Sequence, residues 1–285
     1  MARDIGDADR SDEGRGLTAL VTGASSGIGC AIAELLAAKG YAVVTVARRG
    51  DRLAALAARL ESRWDVEVEP VETDLATTDG AERVLALLAN RRSIDVLVNN
   101  AGNSRIGRFD TVPWEAHEAR LHLMGISTWR LVHGVLPGMV ERGWGRIVNV
   151  SSIAAVFTGF PTDVTYNATK GMVVRFSEAI DAEYRGAGVR CTVSLPGPTP
   201  TEIFTQPGSS GDVAHHPIFR HLQTSPATVA RQTYAAAMAG KPFIVPGLQF
   251  KPLAAVLQHA PAALRRKLSV ALCKVMNERE KSGSR

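Results

Sequence analysis

The chain is poor in cysteine, with only Cys30, Cys191 and Cys273 among its 285 residues. Three scattered cysteines are too few for a disulfide framework, and their spacing does not fit a zinc site. No uninterrupted apolar run approaches the roughly 18 residues that a membrane-spanning helix needs. The first sixteen residues also lack the apolar core of a secretory signal, so we interpret residues 1–16 as a disordered leader. Together these absences predict a protein of the reducing cytoplasm.

The chain also lacks a positive charge that is spread over its length. Its net charge is +5, but residues 251–285 hold eight Lys or Arg against two Glu, so residues 1–250 sum to −1. This distribution argues against nucleic acid as a partner, because the basic excess belongs to the tail. Within the basic extension 251–285, an apolar helical stripe is formed by Leu264, Leu268, Leu272 and Val275. The helix could make weak contact with an anionic membrane surface, or it could dock on its own domain or on a partner subunit.

A glycine-rich turn follows the first predicted strand, residues 17–21. Its sequence is T-G-A-S-S-G-I-G, residues 22–29, and apolar residues at helical spacing come directly after it. Gly23 allows a tight turn, Gly27 lets the backbone approach a pyrophosphate, and Gly29 lets the helix pack on the strand. The helix N-terminus attracts phosphates. The turn therefore predicts a dinucleotide site, to which Ser25, Ser26 and Ile28 also belong.

The second predicted strand, residues 41–46, lacks an acidic residue at its end. Such a side chain usually accepts hydrogen bonds from the ribose hydroxyls of NAD. Here the strand ends in Ala47, Arg48 and Arg49, and guanidinium groups suit a 2′-phosphate. We therefore predict NADP(H) rather than NAD(H). The alternative is two solvated arginines that open a helix.

Polar and glycine-rich segments follow the remaining predicted strands. Asp74 and Leu75 close the third strand, where Asp74 could meet the adenine ring or cap the next helix. The other strand ends carry Asn99-Asn100-Ala101-Gly102, Ser151-Ser152 and P-G-P-T-P-T at residues 196–201. Because strand and helix signals alternate throughout, we predict an α/β fold with one doubly wound parallel sheet and helices on both faces. Ligands bind at the carboxyl edge of such sheets.

The segment V-T-Y-N-A-T-K places Tyr166 four residues before Lys170. On a helix this spacing puts both side chains on one face, with Cβ atoms about 5–6 Å apart. A nearby cation favours the phenolate, so we expect a lowered tyrosine pKa and a role in proton transfer.

Taken in order, the glycine turn, N-N-A-G, the strand-end serine, Y-N-A-T-K and P-G-P-T-P-T resemble the motifs of the short-chain dehydrogenase/reductase family. The resemblance covers residues 17–247 and implies a Rossmann fold, with a domain that we place at residues 17–250. It also implies NAD(P)-dependent interconversion of a carbonyl and a secondary alcohol, on a small to medium hydrophobic substrate, by a homodimer or homotetramer. The run into the basic extension resembles a subgroup of the family with a similar C-terminal extension.

The resemblance also implies roles for individual residues. Tyr166 would be the general acid or base, Lys170 would lower its pKa and hold the ribose, and Ser152 would bind the substrate oxygen. The cofactor would be bordered by Asn99, Asn100, Ala101, Gly102, Tyr166, Lys170, Pro196 and Gly197, and Thr201 would contact its nicotinamide carboxamide.

Two departures from the family pattern stand out. His122 occupies the place of the family's active-site asparagine in L-H-L-M-G, where it could keep a water relay from Lys170, break it, or be a core histidine. Ser152 precedes Tyr166 by fourteen residues, whereas the family generally shows thirteen, so an extra loop residue is expected between them. If the relay is broken, the chain would be an NADP(H)-binding sensor or scaffold with little catalysis.

Residues 201–226 are rich in Gly, Ser, His and Pro. The resemblance implies that this stretch is a mobile lid over the substrate cleft. It contains His215, His216 and His221, but no cysteine or close carboxylate set accompanies them, so we predict no metal site.

Overall fold

Seven short strands rich in β-branched residues form one parallel sheet in the order β3-β2-β1-β4-β5-β6-β7. The computed structural model describes residues 4–89, 93–104, 107–157, 163–202 and 223–277, and only the backbone of residues 272–277. The strands are β1 Thr18–Thr22, β2 Ala42–Ala47, β3 Val68–Glu72, β4 Val96–Asn99, β5 Gly145–Val150, β6 Val189–Ser194 and β7 Phe243–Ile244. The central strands are apolar on both faces, as a covered parallel sheet requires.

Helices cover both faces of the sheet. They are α1 Gly27–Ala38, α2 Gly50–Trp64, α3 Gly80–Leu88, α4 Trp114–Leu121, α5 Ser127–Glu141, α6 Val164–Tyr184, α7 Pro226–Met238, α8 Lys251–His259 and α9 Ala262–Asn277. Ala19 and Val21 of β1 pack with α1, α2 and α7, whereas Leu20 between them packs with α3 and α5. This alternation follows from the two-residue period of a strand. It confirms the predicted doubly wound α/β fold.

The chain reverses its winding at β1, which pairs with β2 on one side and β4 on the other. The helices that follow these two strands lie on opposite faces, so a crevice opens at the carboxyl edge between β1 and β4. Both the glycine turn and the N-N-A-G segment start at this point.

Residues 4–16 are folded against the domain, which differs from the disordered leader expected from the sequence. Ile5 is buried in the core cluster that contains α1 and α2. Asp9 accepts two hydrogen bonds from Arg231 of α7, at 2.7 and 2.8 Å. The sequence favoured disorder because the segment is rich in charged residues and its interaction partners lie far away in the sequence.

The basic extension begins as part of the same domain. Ala254 and Leu257 of α8 are buried, and Phe250 just before α8 lies against Gly197. The first helix of the extension therefore docks on its own domain. The structure does not describe the side chains of Leu272, Cys273 and Val275. Among the described residues, no helix is long and apolar enough to cross a membrane.

Candidate active site

The glycine turn has the backbone that its sequence requires. Gly23 and Gly27 have φ of +67° and +59°, in the left-handed region that favours glycine. A Cβ on Gly29 would lie 2.3 Å from the Gly23 carbonyl oxygen, so any side chain there would force the helix away from the turn. Gly27 and Ile28, the first residues of α1, line the cleft at this edge of the sheet. This cradle fits a dinucleotide pyrophosphate.

Asn100 fastens the N-N-A-G segment to the glycine turn. Its side-chain amide donates to the carbonyl oxygens of Thr22 and Gly23, at 3.1 and 3.4 Å. The Thr22 hydroxyl in turn accepts from the backbone N–H groups of Asn100 and Ala101. Asn99, which was expected to border the cofactor, instead points into the sheet and donates to Asn149 at 2.9 Å.

A cleft runs along this edge of the sheet. It is lined by Gly23, Ser25, Ser26, Gly27, Ile28, Val46, Ala47, Arg48, Arg49, Thr73, Asp74, Leu75, Asn100, Ala101, Gly102, Leu123 and Thr201. Most of the predicted cofactor residues are thus brought together. Val46 and Thr73 were not predicted to line the cleft, although both lie at the ends of strands, where the sheet topology places ligands.

Further residues that were predicted to bind the cofactor do not line this cleft. Gly29 packs beneath the turn, as described above, and does not line the cleft. Pro196 and Gly197 are also absent from its lining, and a Cβ on Gly197 would lie 2.3 Å from the Phe250 ring. Of the P-G-P-T-P-T segment, the cleft is lined by Thr201, whose methyl group would lie 2.8 Å from a Cβ on Gly27.

The two arginines after β2 are both engaged with other side chains. Arg49 donates to the Ser25 and Ser26 hydroxyls at 2.8 and 2.9 Å, and to the Glu202 carboxylate at 2.6 Å. Arg48 lies 3.9 Å from Asp74, whose other oxygen accepts from the Ala76 N–H. Asp74 therefore holds its own turn while it lines the cleft.

The catalytic candidates meet at the carboxyl end of β5. Ser152 lies close enough to Tyr166 for its side chain to lower the pKa of the phenol, and it accepts from the Ala154 N–H at 3.1 Å. The fourteen-residue spacing does not keep these two side chains apart. Ser151 donates to the Lys170 carbonyl oxygen at 2.9 Å and so ties α6 to the end of β5.

The pKa of Tyr166 is raised, which is opposite to the expected direction. Burial raises the pKa to about 12, and the neighbouring Ser152 side chain offsets this only in part. The Lys170 ammonium donates to the Val150 carbonyl oxygen at 2.8 Å and lies 5.7 Å from the centroid of the Tyr166 ring. Burial lowers the pKa of Lys170 to about 8. The lysine is therefore the group of this pair that titrates closer to neutral pH.

A buried ion pair holds the start of the tyrosine helix. Arg120 of α4 binds Asp163, the residue before α6, and both side chains are at most 4% exposed. Asp163 also accepts from Ser104 at 3.0 Å, so it joins α4, α6 and the segment after N-N-A-G. Burial raises the pKa of Asp163, and Arg120 opposes this shift. Sequence analysis missed the pair, since 43 residues separate its members.

A π-helical turn, His122–Ile126, lies between α4 and α5 and begins at the predicted relay residue His122. Such turns add a residue and rotate the side chains that follow. Leu123 consequently lines the cleft. A Cβ on Gly102 would lie 3.3 Å from the Met124 sulfur and 3.7 Å from Lys170 Nζ, so Met124 and Lys170 both flank Gly102. His122 is half-buried, and its role in a relay stays a prediction.

The lid hypothesis falls mainly outside the described residues, as do His215, His216 and His221. The described part of that segment is residues 201–202 and 223–226.

Comparison with known proteins agrees with this geometry. A family model for short chain dehydrogenases matches residues 17–210. The chain belongs to the short-chain dehydrogenase family. A short chain dehydrogenase of Pseudocercospora fijiensis is 30% identical over 216 residues, which cover 73% of this chain and 68% of that protein.

Solved structures of this family show the same fold with either cofactor. A short-chain dehydrogenase from Sphingobium yanoikuyae in complex with NADPH has a TM-score of 0.74 and 30% identity, and covers 92% of this chain and 96% of its own. A short-chain dehydrogenase/reductase from Burkholderia phymatum in complex with NAD has a TM-score of 0.77 and 25% identity, with coverage of 89% and 96%. The chain is thus an oxidoreductase of the short-chain dehydrogenase family that uses a nicotinamide cofactor.

Proposed function

We propose that this short-chain dehydrogenase reduces a carbonyl on a small to medium hydrophobic substrate to the secondary alcohol, with NADP(H) as cofactor. The observation that carries the proposal is the grouping of Ser152, Tyr166 and Lys170 at the end of β5, where Lys170 Nζ lies 5.7 Å from the centroid of the Tyr166 ring. Lys170 flanks Gly102, which lines the cofactor cleft, so the proton-transfer groups adjoin the place where the nicotinamide cofactor would lie.

The glycine turn, Asn100 and Thr201 would hold the cofactor, which supplies the hydride when bound. Tyr166 would deliver its proton to the carbonyl oxygen. Ser152 accepts from the Ala154 N–H, so its own hydroxyl proton is available to stabilise charge on that oxygen. The Lys170 ammonium would favour the phenolate that proton transfer leaves behind.

Burial raises the pKa of Tyr166 to about 12, so the phenol is protonated at neutral pH, which is the state that donates a proton during reduction. Oxidation of the alcohol uses the phenolate, which the Lys170 ammonium would favour.

The preference for NADP(H) is supported by charge at the end of β2. Arg48 and Arg49 line the cleft, and Arg52 lies one helical turn beyond. No carboxylate stands at the strand end itself. A guanidinium cluster at this place suits a 2′-phosphate.

The proposal is tested by following nicotinamide absorbance with NADPH and with NADH over a panel of ketones and aldehydes. Tyr166→Phe keeps the ring and removes the proton, so we expect the rate to fall by at least about 100-fold. Tyr184→Phe, at the far end of the same helix, is the matched control and should leave the rate unchanged. Absence of turnover with the whole panel, or an unaffected Tyr166→Phe variant, would refute the proposal.

A second candidate function is an NADP(H)-binding sensor or scaffold with little catalysis. It is favoured by the apolar Met124 side chain beside Gly102 and Lys170, where a polar relay was expected. It predicts cofactor binding without turnover, and a gain of catalysis in His122→Asn. Appreciable turnover by the unaltered protein would exclude it.

A further inference from the structure

Glu202 bridges two arginines next to the cofactor cleft. Its two carboxylate oxygens accept from Arg49 at 2.6 Å and from Arg52 at 2.5 Å. Glu202 is separated by 153 residues from Arg49, so neither side of the contact gives a local sequence signal. The two arginines hold the pKa of the Glu202 carboxyl below its ordinary value, so it stays ionised at neutral pH.

This bridge lies at the site of dinucleotide recognition. Arg49 also binds the hydroxyls of Ser25 and Ser26 in the glycine turn, and all three residues line the cleft. Thr201, the neighbour of Glu202, lies against Gly27. The segment after β6 therefore places the Glu202 carboxylate against the guanidinium groups of Arg49 and Arg52, which follow β2.

A carboxylate and a phosphate make the same kind of contact with arginine. Both offer paired anionic oxygens to the planar fork of N–H donors. Because the donors of Arg49 are directed at Ser25, Ser26 and Glu202, a 2′-phosphate must share or displace the Glu202 contact to bind there.

We propose that Glu202 is a specificity-determining residue that competes with the cofactor 2′-phosphate for Arg49 and Arg52, and thereby weakens discrimination between NADP(H) and NAD(H). The inference rests on the proposed function only in that a nicotinamide dinucleotide occupies the cleft. The charges near this point are almost balanced, because Asp74 faces Arg48 as Glu202 faces the other two arginines. The preference for NADP(H) then depends on how easily the 2′-phosphate displaces the Glu202 carboxylate from Arg49 and Arg52.

The experiment measures binding to the full chain by calorimetry, with 2′,5′-ADP and 5′-AMP as probes that differ by the 2′-phosphate, and with NADPH and NADH. In Glu202→Gln we expect 2′,5′-ADP and NADPH to bind about five- to tenfold more tightly, whereas 5′-AMP and NADH change little. Glu202→Ala should give the same result, since the gain comes from losing the charge. Asp51→Asn is the matched control, because it removes an exposed carboxylate at the start of the same helix as Arg52, and it should leave the ratio unchanged.

Three outcomes would overturn the inference. The first is binding of both probes with an unchanged ratio in the Glu202 variants, which leaves the proposed function intact. The second is weaker NADPH binding in those variants, which would make Glu202 a support for the arginines. The third is the absence of any dinucleotide binding by all proteins, which would also refute the proposed function.

Discussion

Two arginine–carboxylate contacts in this protein have the same chemistry and opposite surroundings. The side chains of Arg120 and Asp163 are 4% and 3% exposed, whereas those of Arg49 and Glu202 are 36% and 41% exposed. Breaking a buried pair strands an unpaired charge away from water. Breaking an exposed pair only returns both charges to solvent. Burial, and not the contact itself, therefore decides whether an ion pair is fixed or exchangeable.

The position of each pair matches its surroundings. The Arg120–Asp163 pair holds the first turn of α6, which carries Tyr166, and a proton donor must keep its place. The Arg49–Glu202 pair lies at the cofactor cleft, where the groups must exchange partners when a ligand binds. Removal of one charge from each pair therefore measures how much its burial matters.

The largest effect is expected for Asp163→Asn. The variant removes the Asp163 carboxylate from the buried Arg120 guanidinium and so breaks a buried ion pair, and we expect the free energy of unfolding to fall by about 3 to 5 kcal/mol. Urea denaturation at neutral pH measures the change.

The control for this variant is the double substitution Arg120→Met with Asp163→Leu. Because it removes both charges together, we expect it to recover most of the lost stability. A fall of less than about 1 kcal/mol in the unfolding free energy of Asp163→Asn would contradict the prediction, because that is the effect of an exposed ion pair.

A smaller effect of opposite sign is expected for Lys170→Met. Burial lowers the pKa of Lys170 from its ordinary 10.5 to about 8. The folded state therefore binds fewer protons than the unfolded state between these values, and stability rises with pH from about 8 to about 10.5. At pH 7 the protonated lysine carries its full penalty. Lys170→Met should thus be more stable by about 2 kcal/mol at pH 7, after the loss of the Val150 hydrogen bond, while catalysis is abolished.

Thermal unfolding over pH 6 to 10 measures this contribution. Lys241→Met, on an exposed side chain, is the control and should follow the unaltered protein. A Lys170→Met variant with the same pH slope as the unaltered protein would show that the lysine is not the group responsible.

The smallest effect on stability is expected for Glu202→Gln. Since its side chain is well exposed, the free energy of unfolding should change by less than about 1 kcal/mol even though two ion pairs are lost. Urea denaturation beside Asp163→Asn gives the comparison directly. A loss as large as that of Asp163→Asn would contradict the distinction between the two pairs.

The parts of the site that sequence analysis found are those that a local backbone demands. Gly23, Gly27 and Asn100 are needed by a tight turn at a strand end, and a turn of this kind is visible in a few consecutive residues. The sheet was predictable for a similar reason, because apolar strands alternate with helical periodicity. Local patterns of this kind depend on neighbours in the sequence.

The parts that sequence analysis missed depend on distant neighbours. Nothing near Asp163 or Glu202 in the sequence announces an arginine partner on another element. The direction of the Tyr166 pKa was also mispredicted, because the spacing to Lys170 is local whereas burial results from the whole fold. The π-helical turn at His122–Ile126 was also not predicted, and Leu123 within it lines the cleft.

The docked segment that precedes β1 has a consequence for the order of folding. Asp9 and Arg231 are 222 positions apart, so their contact closes most of the chain into a single loop. Closure of such a loop is entropically costly until α7 already lies against α1. Asp9 therefore has no Arg231 partner before α7 has docked on α1. A segment made early in synthesis in this way completes its native contacts late.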